Sequence, residues 1–241
     1  IAIQNRYSHI PQNAIQYLSE RLGTPPVQIY SVIAYYAFLH RNPRGEYDIY
    51  FSDNITDRML GNQVLMMNMC KKLGVEPGVP RADGKVTIAM TSCTGLCDQG
   101  PALLVNGMAV SRLTEERIHK LVGLIEAGTP VKNWPERFFV VEDNIQRRDI
   151  LLTHDIIKGS AIESLIVKGG DALLNWVEES GLRGRGGAGF KTGTKWRFCR
   201  DAVADEHFVI CNADEGEPGT FKDRVLLNRY ADCLFEGMTL C

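Results

Sequence analysis

Residues 102–110 read Ala-Leu-Leu-Val-Asn-Gly-Met-Ala-Val, two short apolar runs that are joined by an Asn-Gly pair. Asn106 and Gly107 both tolerate a positive φ, which a tight two-residue turn between antiparallel strands requires. An Asn-Gly pair between apolar runs is the strongest short-range signal for a β-hairpin. The stretch therefore predicts two adjacent antiparallel strands.

The segments on either side of this hairpin predict the rest of a mixed fold. Residues 47–52 and 85–90 have the alternation or apolar content of strands, and residues 56–72 between them predict a helix. Residues 114–127 predict a closing helix. Strand, helix, strand, hairpin and helix is the order of the later part of a thioredoxin-like fold.

The chain extends well beyond this core in both directions. Residues 11–23 and 27–40 predict two short helices, and the second is apolar almost all round, so we expect it to be buried. Residues 128–135 predict a linker. From about residue 137 the pattern is that of an α/β region.

Within that second region we expect three helices and one strand. The helices are predicted near 159–168, 170–180 and 195–204. The strand is predicted at residues 207–211, which read His-Phe-Val-Ile-Cys.

The bulk composition is that of a soluble globular protein. The 241 residues are 44% hydrophobic and 23% charged, enough for one large or two ordinary domains. A formal charge of −2 gives no electrostatic case for nucleic acid or a membrane surface as a partner, and no apolar run has transmembrane length. Seven cysteines lack the density of a secreted disulfide scaffold, so a reducing compartment is expected, with some thiols free and some bound to metal.

The most informative stretch for function is residues 181–198, Gly-Leu-Arg-Gly-Arg-Gly-Gly-Ala-Gly-Phe-Lys-Thr-Gly-Thr-Lys-Trp-Arg-Phe. Its glycines let backbone amides turn toward a ligand and let that ligand approach closely. Clustered amides beside fixed positive charge, here from Arg183, Arg185 and Lys195, bind phosphate. The spacing is neither a Walker loop nor a Rossmann fingerprint, and the alternative is a flexible basic linker. We expect a nucleotide-like ligand.

Two further motifs carry side chains that bind ligands. Residues 93–97, Cys-Thr-Gly-Leu-Cys, follow a predicted strand, and thiolates are soft ligands suited to iron–sulfur clusters or zinc. The alternative is a pair of buried small residues. Residues 212–217, Asn-Ala-Asp-Glu-Gly-Glu, follow the strand predicted at 207–211, which is the usual ligand edge of an α/β sheet. The alternative there is a solvated acidic turn.

Together these motifs resemble those of a known family. Residues 181–198 and 212–224 resemble the flavin- and NADH-binding subunit of respiratory complex I, and residues 11–128 resemble the thioredoxin-like iron–sulfur subunit of the same machinery. One chain with both modules is similar to the diaphorase subunit of soluble NAD-reducing [NiFe] hydrogenases. The resemblance implies a thioredoxin-like [2Fe–2S] ferredoxin domain with a helical lead-in over residues 1–128. The start of an FMN/NADH-binding α/β domain is implied over residues 137–241.

The resemblance also implies site residues and a reaction. FMN and NAD(H) are expected to contact Gly184, Arg185, Gly186, Gly187, Ala188, Gly189, Phe190, Lys195, Phe198, Asn212, Asp214, Glu215 and Glu217. Phe190 and Phe198 match aromatics that sandwich the adenine, and Glu215 and Glu217 match acids near the nicotinamide, so these two are the catalytic candidates. The implied reaction is reversible hydride transfer between NAD(H) and FMN, with electrons passed to iron–sulfur clusters. A [4Fe–4S] cluster is expected only in sequence beyond this chain.

The chain departs from the family at the first pair of cluster cysteines. Alignment on Gly61 places Ser52 and Asp57 at these positions, whereas Cys93 and Cys97 match the second pair. One hypothesis is a [2Fe–2S] cluster held by all four side chains; the other is a domain that has lost its cluster and is a scaffold. Retention is favoured because Ser and Asp can both ligate iron. The remaining thiols of the second region are expected to lie in its core, namely Cys199, Cys211, Cys233 and Cys241.

The leading function is therefore the diaphorase part of a cytoplasmic NAD-reducing hydrogenase, with hydrogenase and further iron–sulfur subunits as partners. The fused flavin subunit of an NAD-dependent formate dehydrogenase, or of a complex I relative, would share this flavin site. A non-catalytic scaffold is the alternative of another class. The chain begins at Ile1 and ends inside an apolar run at Cys241, so a fragment is expected.

Overall fold

The computed structural model describes residues 1–148, 152 and 157–241 and divides into two compact units. The first comprises Ile1–Asn144 with Gly216–Phe221, and the second comprises Ile145–Glu215 with Lys222–Cys241. The described strands lie in the first unit, and the second unit is helical.

A four-stranded sheet in the order β2-β1-β3-β4 forms the centre of the first unit. Strand β1 (Tyr47–Ser52) pairs in parallel with β2 (Val86–Thr91) and antiparallel with β3 (Leu103–Val105). Strand β3 forms a hairpin with β4 (Met108–Val110). The predicted Asn-Gly turn joins this hairpin with φ values of 48° and 80°, so both the hairpin and the predicted order of elements are confirmed.

The described helices of the first unit lie before, between and after these strands. They are α1 (Ala2–Tyr7), α2 (Gln12–Leu22), α3 (Pro26–Tyr35), α4 (Ile55–Met59), α5 (Asn62–Leu73) and α6 (Glu115–Glu126). The single helix predicted over residues 56–72 is wrong, because Gly61 adopts a φ of 83° and separates α4 from α5. That positive φ is accessible to glycine at little cost.

Helix α3 is less buried than its apolar sequence predicts. Ile33 is buried, where it packs with Ile10 and Ile15 in a small cluster of its own, but Val32 and Tyr35 are 51% and 80% exposed. Helix α3 packs mainly on α2, so the opposite apolar face has no cover within the described unit.

The main core lies between the sheet and the helices α5 and α6. Phe51, Ile88 and Ile118 are fully buried there. Trp134 and Phe138 join the same core, although they lie in or just after the segment predicted as a linker. The indole nitrogen of Trp134 donates to the carbonyl of Thr129 at 2.7 Å, so this segment is packed rather than flexible.

The second unit is built from helices that bury few side chains. They are α7 (Ser160–Lys168), α8 (Gly170–Glu179), α9 (Thr192–Asp201), α10 (Lys222–Arg229) and α11 (Ala231–Leu240). The strand predicted at 207–211 is wrong, because a strand needs a hydrogen-bonded neighbour. The β pairing among the described residues of this unit is a single bridge between Arg183 and Lys191.

The cysteine prediction for the second unit is also wrong. Cys199, Cys211 and Cys241 are exposed and Cys233 is half-buried, whereas Cys70 in the first unit is buried. Among the described residues of this unit, the helices bury few apolar side chains, such as Leu174 and Val225, and these thiols do not pack among them. In the portion of the chain that the structure describes, no helix is long and apolar enough to cross a membrane.

Candidate functional site

The side chains predicted as metal ligands gather at one edge of the first unit's sheet. Strand β1 ends at Ser52 and its parallel neighbour β2 ends at Thr91, two residues before Cys93. The carboxyl ends of parallel strands meet at the same edge, which brings the serine and the cysteine loop together. Asp57 lies in the first turn of α4, directly after β1.

The amide of Asn54 connects all four predicted ligands. Its Nδ2 lies 2.8 Å from Ser52 Oγ, 2.5 Å from Asp57 Oδ2, 3.3 Å from Cys97 Sγ and 3.8 Å from Cys93 Sγ. The two Sγ atoms are 3.6 Å apart. The structure thus brings the four positions together around one nitrogen atom that the sequence analysis did not single out.

Asp57 is held rigidly in this arrangement. It is fully buried, and its Oδ1 accepts a hydrogen bond from the backbone N–H of Ala102 at 2.9 Å. Gly100 makes room for it, because a Cβ at that position would lie 2.5 Å from Oδ1. Asn62, also fully buried, donates to the carbonyls of Ser52 and Ala102 at 2.8 and 2.9 Å and so ties the strand ends together.

Burial disfavours negative charge at this site. It raises the pKa of Asp57, and hydrogen bonds from Ser52, Asn54 and the Ala102 backbone oppose that shift. Burial likewise raises the pKa of the Cys97 thiol, opposed first by a backbone hydrogen bond from Gly219. A bound cation reverses such preferences, so metal binding here would release protons.

The chemistry of this donor set fits a metal–sulfur group. Two thiols, a carboxylate and a hydroxyl are groups that iron and zinc accept as ligands. Among the described residues, however, no three His, Cys, Asp or Glu side chains converge closely enough to hold one ion as they stand. The Asn54 amide contacts both the carboxylate of Asp57 and the thiol of Cys97.

The glycine-rich loop of the second unit has a defined shape. Arg183 and Lys191 pair as an isolated antiparallel bridge. Inside it, the N–H of Gly184 donates to the carbonyl of Phe190 at 2.9 Å, and Arg183 Nη1 donates to the carbonyl of Gly189 at 2.9 Å. These contacts close the loop into a hairpin-like turn, which contradicts the flexible-linker alternative.

The tip of this loop is open to a ligand. A Cβ built on Gly186, Gly187 or Gly189 would meet no atom within 4 Å, and φ is 80° and 58° at the last two. The rings of Phe190 and Phe198, 51% and 65% exposed, lie 6.5 Å apart at an angle of 54°. The two rings are therefore neighbours but not parallel plates, and their role around adenine stays a prediction.

A contact that the sequence analysis missed fixes the helix that follows the loop. A Cβ on Gly193 would lie 2.5 Å from Glu178 Cγ, so glycine lets α9 approach α8 closely. Arg197 on α9 then donates to Glu178 through Nε at 2.9 Å and Nη2 at 2.5 Å. Lys195 lies on the same helix and is exposed. A glycine inside a helical pattern is the signal that marks such a close approach.

The acidic loop is organised by its own side chains. Asn212 Oδ1 accepts from the N–H of Asp214 at 3.0 Å. The Glu215 carboxylate accepts from the N–H groups of Asp223 and Arg224 at 2.8 and 3.2 Å, at the start of α10. A carboxylate at a helix N-terminus satisfies free N–H groups and the helix dipole. Glu215 therefore positions α10, whatever else it contacts.

Glu217 has a different setting from Glu215. It belongs to the segment Gly216–Phe221 of the first unit, and it is exposed. Its carbonyl accepts from the backbone N–H of Thr220 at 3.2 Å and from the Thr220 hydroxyl at 2.8 Å. Of the two catalytic candidates, Glu217 is thus the carboxylate that faces solvent.

Two family profiles match the chain. Thioredoxin-like [2Fe-2S] ferredoxin matches residues 1–126, and the Nuo51 FMN-binding domain matches residues 177–241. These matches confirm the predicted fold class and the resemblance stated from the motifs. They do not test the individual site residues, which stay predictions.

Known proteins are similar to this chain along part or almost all of its length. The NAD-reducing hydrogenase HoxS subunit alpha of Cupriavidus necator is 33% identical over 99% of this chain and 42% of its own length. An NADH-quinone oxidoreductase subunit of Rhizobium meliloti is 53% identical over 29% of this chain and 17% of its own length. The crystal structure of an air-oxidized NAD+-reducing [NiFe]-hydrogenase has a TM-score of 0.88 at 42% identity, covering 99% of this chain and 42% of that one.

This chain spans well under half the length of the hydrogenase relatives that it matches. Its first unit nevertheless has the predicted order of strands and helices, the thiol pair after β2 and the family match over more than half of the sequence. The chain belongs to the thioredoxin-like [2Fe-2S] ferredoxin family through residues 1–126, and residues 177–241 match the Nuo51 FMN-binding domain.

Proposed function

We propose that this chain is part of a diaphorase subunit that exchanges a hydride between NAD(H) and FMN and passes electrons to or from iron–sulfur clusters. The observation that carries the proposal is a glycine loop that is bridged at its base and exposed at its tip, in the same chain as the dithiol site. The dithiol site precedes the glycine loop, and a hydrogenase alpha subunit matches the chain along 99% of its length. Partners would be hydrogenase and further iron–sulfur subunits of a hetero-oligomer in the cytoplasm.

In this proposal the second unit binds the flavin and the dinucleotide. Bound FMN would supply the hydride and single-electron chemistry. The exposed glycine tip of the loop and the charge of Arg185 are proposed to bind phosphate, and Lys195 adds a second cation from α9. Glu215 anchors α10 at the acidic loop. Glu217 lies in the segment assigned to the first unit, so its place near the nicotinamide stays a prediction from the sequence.

The first unit is proposed to hold the [2Fe–2S] group through Cys93, Cys97, Ser52 and Asp57. Such a cluster would supply one-electron transfer. The oxygen donors on one side favour ferric iron and should lower the reduction potential compared with a site of four cysteines.

The test uses the purified complex that contains this chain, with Arg185→Gln as the variant and Arg112→Gln as the matched control. Arg112 is an exposed arginine of the first unit, paired with Glu142. Loss of a charge-assisted contact to phosphate should weaken FMN binding by about ten- to a hundredfold, measured from released flavin fluorescence. NADH-dependent reduction of an artificial acceptor should fall in parallel, and the control should match the wild type.

Three outcomes would overturn or redirect the proposal. A colourless complex without flavin or NADH oxidation would favour the scaffold. Flavin affinity that is unchanged in Arg185→Gln would remove the loop from the site. Molybdenum or tungsten in the native complex in place of nickel would assign the chain to a formate dehydrogenase.

A further inference from the structure

Asn54 is not one of the four predicted ligand positions, yet its side chain is fixed among them. Its Oδ1 accepts from the backbone N–H of Asp57 at 3.0 Å, as the N-cap of α4, and from Thr56 Oγ1 at 2.5 Å. These two hydrogen bonds orient the amide plane. With Oδ1 held by these two donors, Nδ2 is directed toward the Asp57 carboxylate, Ser52 and Cys97.

The amide nitrogen has more acceptors around it than it can satisfy. An amide NH₂ group has two N–H donors, whereas four acceptor atoms lie within 3.8 Å of Nδ2. The two shortest contacts are those to Asp57 Oδ2 at 2.5 Å and to Ser52 Oγ at 2.8 Å. The amide therefore holds the two oxygen donors most tightly and contacts the sulfurs more loosely.

A metal atom shared by these donors would need the same space. Iron or zinc lies about 2.3 Å from a thiolate sulfur and about 2.0–2.2 Å from a carboxylate oxygen. A metal bound by donors of both kinds must therefore lie between the thiols and the carboxylate. Nδ2 is in contact with both of these groups, 3.3 Å from Cys97 Sγ and 2.5 Å from Asp57 Oδ2.

We propose that the Asn54 amide competes with the metal for the four donor side chains and thereby sets the metal affinity of the site. This inference rests on the proposed metal–sulfur function of the first unit. Metal binding then requires that the amide leave the space between Asp57 and Cys97, at the cost of its hydrogen bonds. Ser52 and Asp57, which replace the family's first cysteine pair, act together with Asn54, since both oxygens are acceptors that the amide can hold.

The test removes the amide and keeps the helix cap. Serine is as good an N-cap as asparagine, but its side chain is too short to carry a donor into the site, so Asn54→Ser separates the two roles. Asn54→Asp is the second variant, because aspartate also caps the helix and presents acceptors only. The matched control is Asn68→Ser on α5, whose amide donates to Glu115 Oε1 at 3.2 Å.

The probe is Co²⁺ alone, titrated anaerobically into the full chain with reduced thiols. The readout is the charge-transfer absorption of a cobalt thiolate. Two lost hydrogen bonds should tighten Co²⁺ binding by about ten- to thirtyfold in Asn54→Ser. Asn54→Asp should also bind more tightly than the wild type, and Asn68→Ser should match it.

Failure of this inference is distinguishable from failure of the proposed function. If Asn54→Ser binds Co²⁺ no more tightly than the wild type, the amide does not compete. If the far-ultraviolet dichroism shows that Asn54→Ser is unfolded, the Asn54→Asp titration decides in the same way. If neither the Co²⁺ affinity nor the intensity of the band changes when Cys93 and Cys97 are both replaced by serine, the dithiol does not bind the ion, and the exposed thiols of the second unit account for the band.

Discussion

Gly100→Ala is the substitution that tests the tight packing around Asp57 most directly. A Cβ at Gly100 would lie 2.5 Å from Asp57 Oδ1 and 3.1 Å from Leu60 Cδ1. Gly100 has a φ of −65°, which alanine adopts without strain, so the effect is steric. The fully buried carboxylate must move, and the hydrogen bond that it accepts from Ala102 N–H at 2.9 Å must lengthen or break.

The expected cost follows from these contacts. Losing a buried hydrogen bond to a charged group costs about 1.5–3 kcal/mol. Forcing a methyl group into a packed site costs about 1–3 kcal/mol, and the reduced freedom of the unfolded chain returns about 0.4–1 kcal/mol. We therefore expect Gly100→Ala to lower the free energy of unfolding of the first unit by about 2–5 kcal/mol.

The assay is urea unfolding followed by the fluorescence of Trp134, which is buried in the first unit's core. Trp176 and Trp196 are replaced by phenylalanine so that the fluorescence comes from Trp134 alone. The matched control is Gly123→Ala on the exposed face of α6, where a Cβ meets nothing within 4 Å. That change should stabilise the helix by about 0.5–1 kcal/mol. A Gly100→Ala variant within about 1 kcal/mol of the wild type would refute the packing argument.

Two further predictions concern pH and the second unit. Burial, then a neighbouring arginine, lowers the pKa of His40 below its usual 6.5, so the unfolded state binds more protons. The stability that depends on neutral His40 is present above pH 6.5 and is lost as pH falls through the lowered pKa. His40→Gln should therefore flatten this acid dependence in urea unfolding, and an unchanged acid dependence would contradict the assignment. A Gly193→Ala Cβ would lie 2.5–2.8 Å from Glu178, including its backbone, so α9 should separate from α8 and FMN binding should fall. Gly237→Ala in α11, where a Cβ meets nothing within 4 Å, should leave flavin binding unchanged; equal losses in both variants would contradict this interpretation.

Several features of the fold could be predicted because they depend on neighbouring residues only. The hairpin turn follows from the positive φ that Asn106 and Gly107 tolerate. Strands β1 and β2 follow from apolar patterns of six residues each. The glycine loop was recognisable for the same reason, since its backbone freedom is a local property.

Other features depend on partners that are distant in the sequence. The run at 207–211 has the composition of a strand, but no strand pairs with it in the described structure. Cys199 and Cys211 are exposed, in a unit whose helices bury few side chains. Burial of a thiol is decided by what packs against it, which a local pattern does not contain.

The sequence by itself determined the element order of the first unit, the thiol pair and the backbone freedom of the glycine loop, because backbone preferences and side-chain chemistry are local. Only the tertiary structure decided which side chain contacts the four predicted ligands. The Asn54 amide meets Cys93 and Cys97 across 39 and 43 residues of sequence, and this contact exists only because the sheet brings the ends of β1 and β2 to one edge.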